Sequence, residues 1–202
     1  ENIDRWLGIY INWLSERNQL DNTLIVFSSD HGEMLGDHDR WGKSLPYQSS
    51  IGVPLVIAGP NVKSGLVMDT PVSLIDLTAT FLDQAHSKIP SQLHGKTLRS
   101  VLSGSDHVHR QHVLSGLDNW RLVYDGHHKL VQGFEGQSWL FDLKNDPTET
   151  QNLFLDQPKL VEKLQALLTH EFGHAFGYTH VKELGHIMHP VTEKMGDKFW
   201  IP

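Results

Sequence analysis

The chain has 202 residues, 39% of them apolar and 20% charged, which allows one domain or two small ones and excludes disordered and low-complexity classes. Its net charge of −7 comes without a Lys/Arg stripe, which argues against a nucleic-acid partner, and no stretch reaches the ~20 apolar residues needed to span a bilayer. Cysteine is absent, removing disulfides, thiolate metal sites and any cysteine-derived nucleophile, whereas 14 histidines invite a search for metal.

No signal-peptide segment opens the chain, which does not begin with Met and reads as a mature or excised piece. Ile3, Leu7, Ile11 and Leu14 recur at spacings of three and four, predicting an amphipathic helix over 3–17 that Asp21-Asn22 ends. Thr23 to Phe27 is a short apolar, β-branched run that suits a strand buried on both faces, as in a parallel sheet. The polar stretch from Ser28 to Ser50 is too long for an ordinary connection and is expected to be functional. Pro54 to Ala58 predicts a second buried strand, and Leu74, Leu77, Ala79 and Leu82 predict a helix over 73–84. Near residue 105 the pattern turns antiparallel. Trp120–Tyr124 and Lys129–Val131 flank Asp125-Gly126, a hairpin signal, and Ser138 to Leu143 is a further strand. From Lys159, Leu160, Leu164, Leu167, Leu168, Phe172 and Ala175 line one side of a helix expected over about 159–176.

That last helix holds His170-Glu171-Phe172-Gly173-His174. Residues four apart on a helix lie one above the other, so both imidazoles point the same way, with Glu171 beside them to hold a metal-bound water. Gly177 lets the chain leave the helix, and His180 can swing back as a third ligand. Three imidazoles leave one tetrahedral position for water, the arrangement of a catalytic zinc. The string His170-Glu-x-x-His174-x-x-Gly177-x-x-His180, with Met188 and Pro190 following, resembles the metzincin zinc peptidases, the matrixin branch above all. The resemblance implies zinc-dependent cleavage of internal peptide bonds. His170, His174 and His180 would be the Zn2+ ligands, Glu171 the general base, and Gly177, Met188 and Pro190 the structural support.

Residues 1–168 carry other motifs. Asn22-Thr-Leu-Ile-Val-Phe-Ser-Ser-Asp30-His31-Gly32-Glu33 leads to Gly36-Asp37-His38 and Trp41-Gly42-Lys43. Gly52-Val53-Pro54 through Gly59-Pro60, Val72 through Thr80, Leu93-His94-Gly95-Lys96-Thr97 and Leu140-Phe-Asp142 through Asn152-Leu153 follow in order. This succession resembles the C-terminal half of the sulfatases of the alkaline phosphatase superfamily. The resemblance implies that Asp30 and His31, at the carboxyl end of a buried strand, ligate Ca2+ or another divalent cation, and that Lys43 reaches the substrate's anionic oxygens. His38 reads equally as part of that site or as a solvated loop residue. The family's N-terminal nucleophile motif, Cys/Ser-x-Pro-x-Arg, does not occur in the chain.

The expected architecture is an α/β or α+β body with a terminal metzincin-type zinc-binding helix. Its segments are 1–104 (α/β core), 105–168 (antiparallel strands and helix) and 169–202 (zinc-binding). The leading expectation for function is a zinc metalloendopeptidase acting on a peptide or protein substrate. A sulfuric-ester or phosphonate-ester hydrolase is the alternative, and a metal-binding chimera or fragment without turnover is the third reading. Neither nucleic acid nor membrane is an expected partner, and the family resemblances favour a secreted or periplasmic setting. His127-His128 is expected to be a solvated turn, and His107, His109 and His112 to be too irregular for a metal site. The six Trp are expected in the core.

Overall fold

A computed structural model of the protein describes residues 1–175. Its helices are α1 (Asn2–Glu16), α2 (Gln48–Ile51), α3 (Ile75–Gln84), α4 (Arg99–Leu102) and α5 (Pro158–Ala175). Its strands are β1 (Ile25–Ser28), β2 (Leu55–Ala58), β3 (Val113–Leu117), β4 (Trp120–Tyr124), β5 (His128–Phe134) and β6 (Gln137–Asp142). The chain divides into two compact units, one of residues 1–32 and 52–111, the other of 33–51 and 112 onward. Among the described residues no helix is long and apolar enough to cross a membrane.

In the first unit, α1 forms where the three- and four-residue spacing predicts it, yet none of its residues is buried: Ile3, Trp6 and Trp13 are all at least half exposed. Its inner stripe, with Leu24 and Ile25, lines an open apolar groove of about 530 Å³. The strands correct the expectation of a buried parallel pair. β1 and β2 run antiparallel, Ile25 opposite Ala58 and Ser28 opposite Leu55, with Phe27 and Val56 exposed. A four-residue apolar run carries no information about strand direction, and a continuous run is compatible with either.

The polar centre of this unit is Asp76 in the first turn of α3, fully buried. It accepts hydrogen bonds from the Arg110 guanidinium (Nε–Oδ2 2.9 Å), from the backbone N–H groups of Lys96 (2.8 Å) and Ser73 (3.0 Å), and from His109 Nε2 (3.1 Å). Burial alone would raise its pKa, but the Arg110 bond and the two amides outweigh burial and hold the carboxyl below its ordinary range. His109 is therefore not an open loop residue; its side chain is nearly buried against Asp76, and burial lowers its pKa.

The second unit is a four-stranded antiparallel meander, β3-β4-β5-β6, with α5 packed on one face. Alternation sorts the side chains. Val123, Leu130 and Leu140 face Val161, Leu164 and Leu168 of α5, while Leu122, Val131, Phe134 and Phe141 face Leu45, Tyr47 and Ile51. The hairpin forms at Asp125-Gly126 as predicted, and Gly133 adopts φ 82° at an irregularity in the β5–β6 register. There the backbone of Asn119 leaves no room for a Cβ. α5 runs through to Ala175 unbroken, as its apolar spacing predicts. Among the described residues, Trp120, 5% exposed, is in the core and Trp139 packs against it, whereas Trp6, Trp13 and Trp41 are half exposed or more.

Candidate functional site

Asp30 and His31 follow directly on β1, at its carboxyl end, and the fold brings them together: His31 Nε2 lies 3.4 Å from Asp30 Oδ2. His31 Nδ1 is 2.7 Å from the Gly32 carbonyl oxygen. A carbonyl only accepts, so Nδ1 carries the proton of that bond, and Nε2 is the ring nitrogen on the Asp30 side. The His31 backbone N–H donates to Asp30 Oδ1 (3.0 Å), which fixes the carboxylate in turn. A carboxylate and an imidazole nitrogen on one edge are a donor pair suited to a divalent cation.

Lys43 belongs to the second unit and sits at the apex of a pinned loop. Leu35, Gly36, His38, Asp39, Gly42 and Ser44 all have positive φ. So many left-handed residues in a ten-residue stretch persist only where surrounding bonds hold them. Met34, fully buried, anchors the loop. Met34 N–H donates to the Gly42 carbonyl (2.9 Å), Gly36 N–H to that of Arg40 (2.9 Å), and Gly42 N–H to Glu33 Oε1 (2.6 Å). Ser49 donates its hydroxyl to Asp37. His38 is not a solvated residue: its ring stacks on Tyr47, centroids 3.9 Å apart.

The descending arm of the loop is clamped from below. Trp120 Nε1 donates to the Ser44 carbonyl (3.1 Å), and the Lys129 ammonium donates to the Pro46 carbonyl (2.6 Å). Glu149 pairs with Lys129, and its other oxygen accepts the Gln48 N–H at 2.6 Å. Lys129 is fully buried and Glu149 is 4% exposed. Burial pulls the Lys129 pKa below its ordinary range, and Glu149 works against that pull. Sequence reasoning missed this clamp; a Lys in an otherwise apolar β5, after two His, was the available signal.

The helix residues of the peptidase expectation lie in α5. His170 and His174 face each other with their Nε2 atoms 3.2 Å apart, His170 only 5% exposed. Glu171 sits 3.4 Å from His112 Nε2, and the hydrogen bond from His112 holds its carboxyl below the ordinary range although burial opposes the shift. Gly177, His180, Met188 and Pro190 lie outside the described residues.

The expected solvated turn holds a further donor cluster, with His127 partly exposed and His128 largely buried. His127 and His128 stack with ring centroids 3.9 Å apart, and His127 Nε2 is 2.9 Å from Asp142 Oδ1.

Comparison with known proteins shows what the body is similar to. The sulfatase family model matches residues 1–87. An arylsulfatase of Clostridium perfringens is 33% identical over 189 residues, covering 88% of this chain and 39% of that protein. The structure of BT4656 in complex with its substrate D-glucosamine-2-N,6-O-disulfate superposes with a TM-score of 0.75 at 27% identity, over 87% of this chain and 39% of that one. A phosphonate monoester hydrolase from Silicibacter pomeroyi gives 0.72 at 32% identity, over 87% and 39%. The chain thus spans about two fifths of the length of the proteins it matches. These findings overturn the metalloendopeptidase expectation and its preference over a sulfatase: the matches run over nearly nine tenths of the chain and are to ester hydrolases, not peptidases. A motif of some thirty residues is outweighed by similarity distributed along the whole body, and no metzincin relationship supports a terminal zinc-peptidase helix. The body of this chain is thus similar to the sulfatases in sequence, and its mixed α/β fold is sulfatase-like.

Proposed function

We propose that this chain supplies metal-binding and substrate-contacting residues of a sulfate-ester hydrolase. The observation that carries the reading is Asp30 beside His31 at the carboxyl end of β1, with His31 Nε2 on the Asp30 side, in a chain whose relatives include arylsulfatases. Asp30 and His31 would hold a divalent cation such as Ca2+ or Mg2+. When bound, that ion polarises a sulfate oxygen. Gly32 orients the His31 ring, and the His31 amide keeps the Asp30 carboxylate in place. Lys43, carried on a loop held by Glu33, Lys129 and Glu149, contributes a point charge to the ester's anionic oxygens. No residue of this chain is assigned the nucleophile's role, because it has neither cysteine nor a Ser-x-Pro-x-Arg sequence.

Phosphonate esters are the neighbouring substrate class, favoured by the 32% identity to the Silicibacter hydrolase. Both substrates present a tetrahedral anionic centre that a divalent cation can polarise. His170 and His174 belong to this reading only as a zinc-binding pair without hydrolytic chemistry.

Calorimetric titration of the metal-stripped protein with CaCl2 and with MgCl2 tests the assignment. Affinity should fall by about tenfold or more in Asp30→Ala and in His31→Ala, the scale of losing a metal contact, and stay unchanged in His170→Ala. Equal affinity in the wild type and Asp30→Ala overturns it.

A further inference from the structure

The turn between β4 and β5 gathers a donor set that sulfate-ester chemistry does not use. Consecutive strand residues point to opposite faces, which would part His127 from His128. Here His127 precedes the strand. Gly126, at φ 92°, turns the chain, and Asp125 Oδ1 accepts the backbone N–H groups of both His127 (2.9 Å) and His128 (2.7 Å). The two rings consequently share one side, their planes 22° apart. Asp142, at the end of β6, is the cross-strand partner of His128, and its carboxylate is oriented by the N–H groups of Lys144 (3.1 Å) and Asn145 (3.0 Å) and by Asn145 Nδ2 (2.8 Å).

We propose that His127, His128 and Asp142 form a zinc-binding site that clips the β4–β5 turn to the end of β6. One ligand atom from each residue falls within 4.8 Å of the other two. Ligand atoms around a tetrahedral zinc, with bonds of roughly 2.0–2.2 Å, stand about 3.3–3.5 Å apart. The His127–Asp142 pair at 2.9 Å is already near that spacing, and the widest separation closes by rotation of an imidazole. Two imidazoles and a carboxylate form a zinc-type set with a fourth position for water. The ion has a way in, because the His127 side chain is 42% exposed, while Asp142 and His128 are held at 16% and 17%. Two carboxylates, Asp125 and Asp142, act on the His128 ring, which favours a dication there. The amides on Asp142 are the outer-shell bonds that ligating carboxylates require.

The test uses the whole chain in a His170→Ala/His174→Ala background, so that the α5 pair does not compete. Protein stripped with EDTA is dialysed to equilibrium against ZnCl2, bound zinc is counted by elemental analysis, and the unfolding midpoint is recorded alongside. The site predicts one zinc per chain that raises the midpoint, and an affinity lower by at least about tenfold in His127→Ala and in His128→Gln. His127→Ala removes an exposed ring and leaves the sheet core untouched, so a folded variant is available. Cobalt in place of zinc should give a tetrahedral visible spectrum in the background protein that disappears in His127→Ala. Zinc uptake and midpoint that are the same with and without His127 and His128 overturn the site.

Discussion

The clamp beneath the Lys43 loop makes a quantitative prediction. Lys129→Met removes a fully buried ammonium and leaves Glu149, 4% exposed, as an uncompensated charge beneath the sheet. Breaking one side of a buried ion pair costs about 3–5 kcal/mol, and the orphaned Pro46 carbonyl falls within that range. At roughly 2–4 °C per kcal/mol for a chain of this size, the midpoint should drop by about 6–20 °C. Lys129→Met/Glu149→Leu removes both charges, and most of the loss should be recovered, because an apolar pair of similar bulk is often neutral in place of an ion pair. What the double variant does not restore is the hold on Pro46 and Gln48, each bond worth about 1 kcal/mol. Urea unfolding gives the energies, and amide exchange at Gln48 reads the loop. A single variant that loses less than about 1 kcal/mol, or a double variant no better than the single, refutes the reasoning.

Other expectations follow from the charged groups. The Asp142 pKa is pulled to about 2, below the ordinary 3.8, chiefly by the Asn145 side chain, with His127 adding to it. The sign is that of a depressed carboxyl: its contribution to stability is complete above pH 4 and is lost as pH falls through about 2, and carboxyl-carbon NMR should give a midpoint there. In Asn145→Ala that midpoint should move upward. For Glu171 the leading cause of the lowered pKa is the bond from His112, with burial opposing it, so His112→Ala should raise the Glu171 midpoint in the same NMR titration. An unchanged midpoint would refute that cause.

The fold was legible in sequence where a pattern is local. Leu160, Leu164, Leu168, Phe172 and Ala175 recur with helical period across the junction at residue 169, and α5 follows them without a break. Asp125-Gly126 between two apolar runs specifies the β4–β5 hairpin because its glycine supplies the positive φ the turn needs. Direction and burial were not legible for β1 and β2: their apolar runs fit a parallel interior strand as well as the antiparallel, half-exposed pair they form. The Asp30-His31 pair was legible because two ligand types stand side by side at a strand end. The clamp was not, since Lys129 and Glu149 are 20 positions apart and only the meander's register brings them together. The cluster at His127 and His128 was hidden for the same reason: Asp142, which bonds His127, arrives two strands' length later through the pairing of β5 with β6.

The most direct measurement is calcium binding to the EDTA-stripped protein by calorimetry, compared with Asp30→Ala and Glu171→Gln. The account predicts an affinity that falls by about tenfold or more in Asp30→Ala and is unchanged in Glu171→Gln. Calcium affinity that is equal in the wild type and Asp30→Ala contradicts the account.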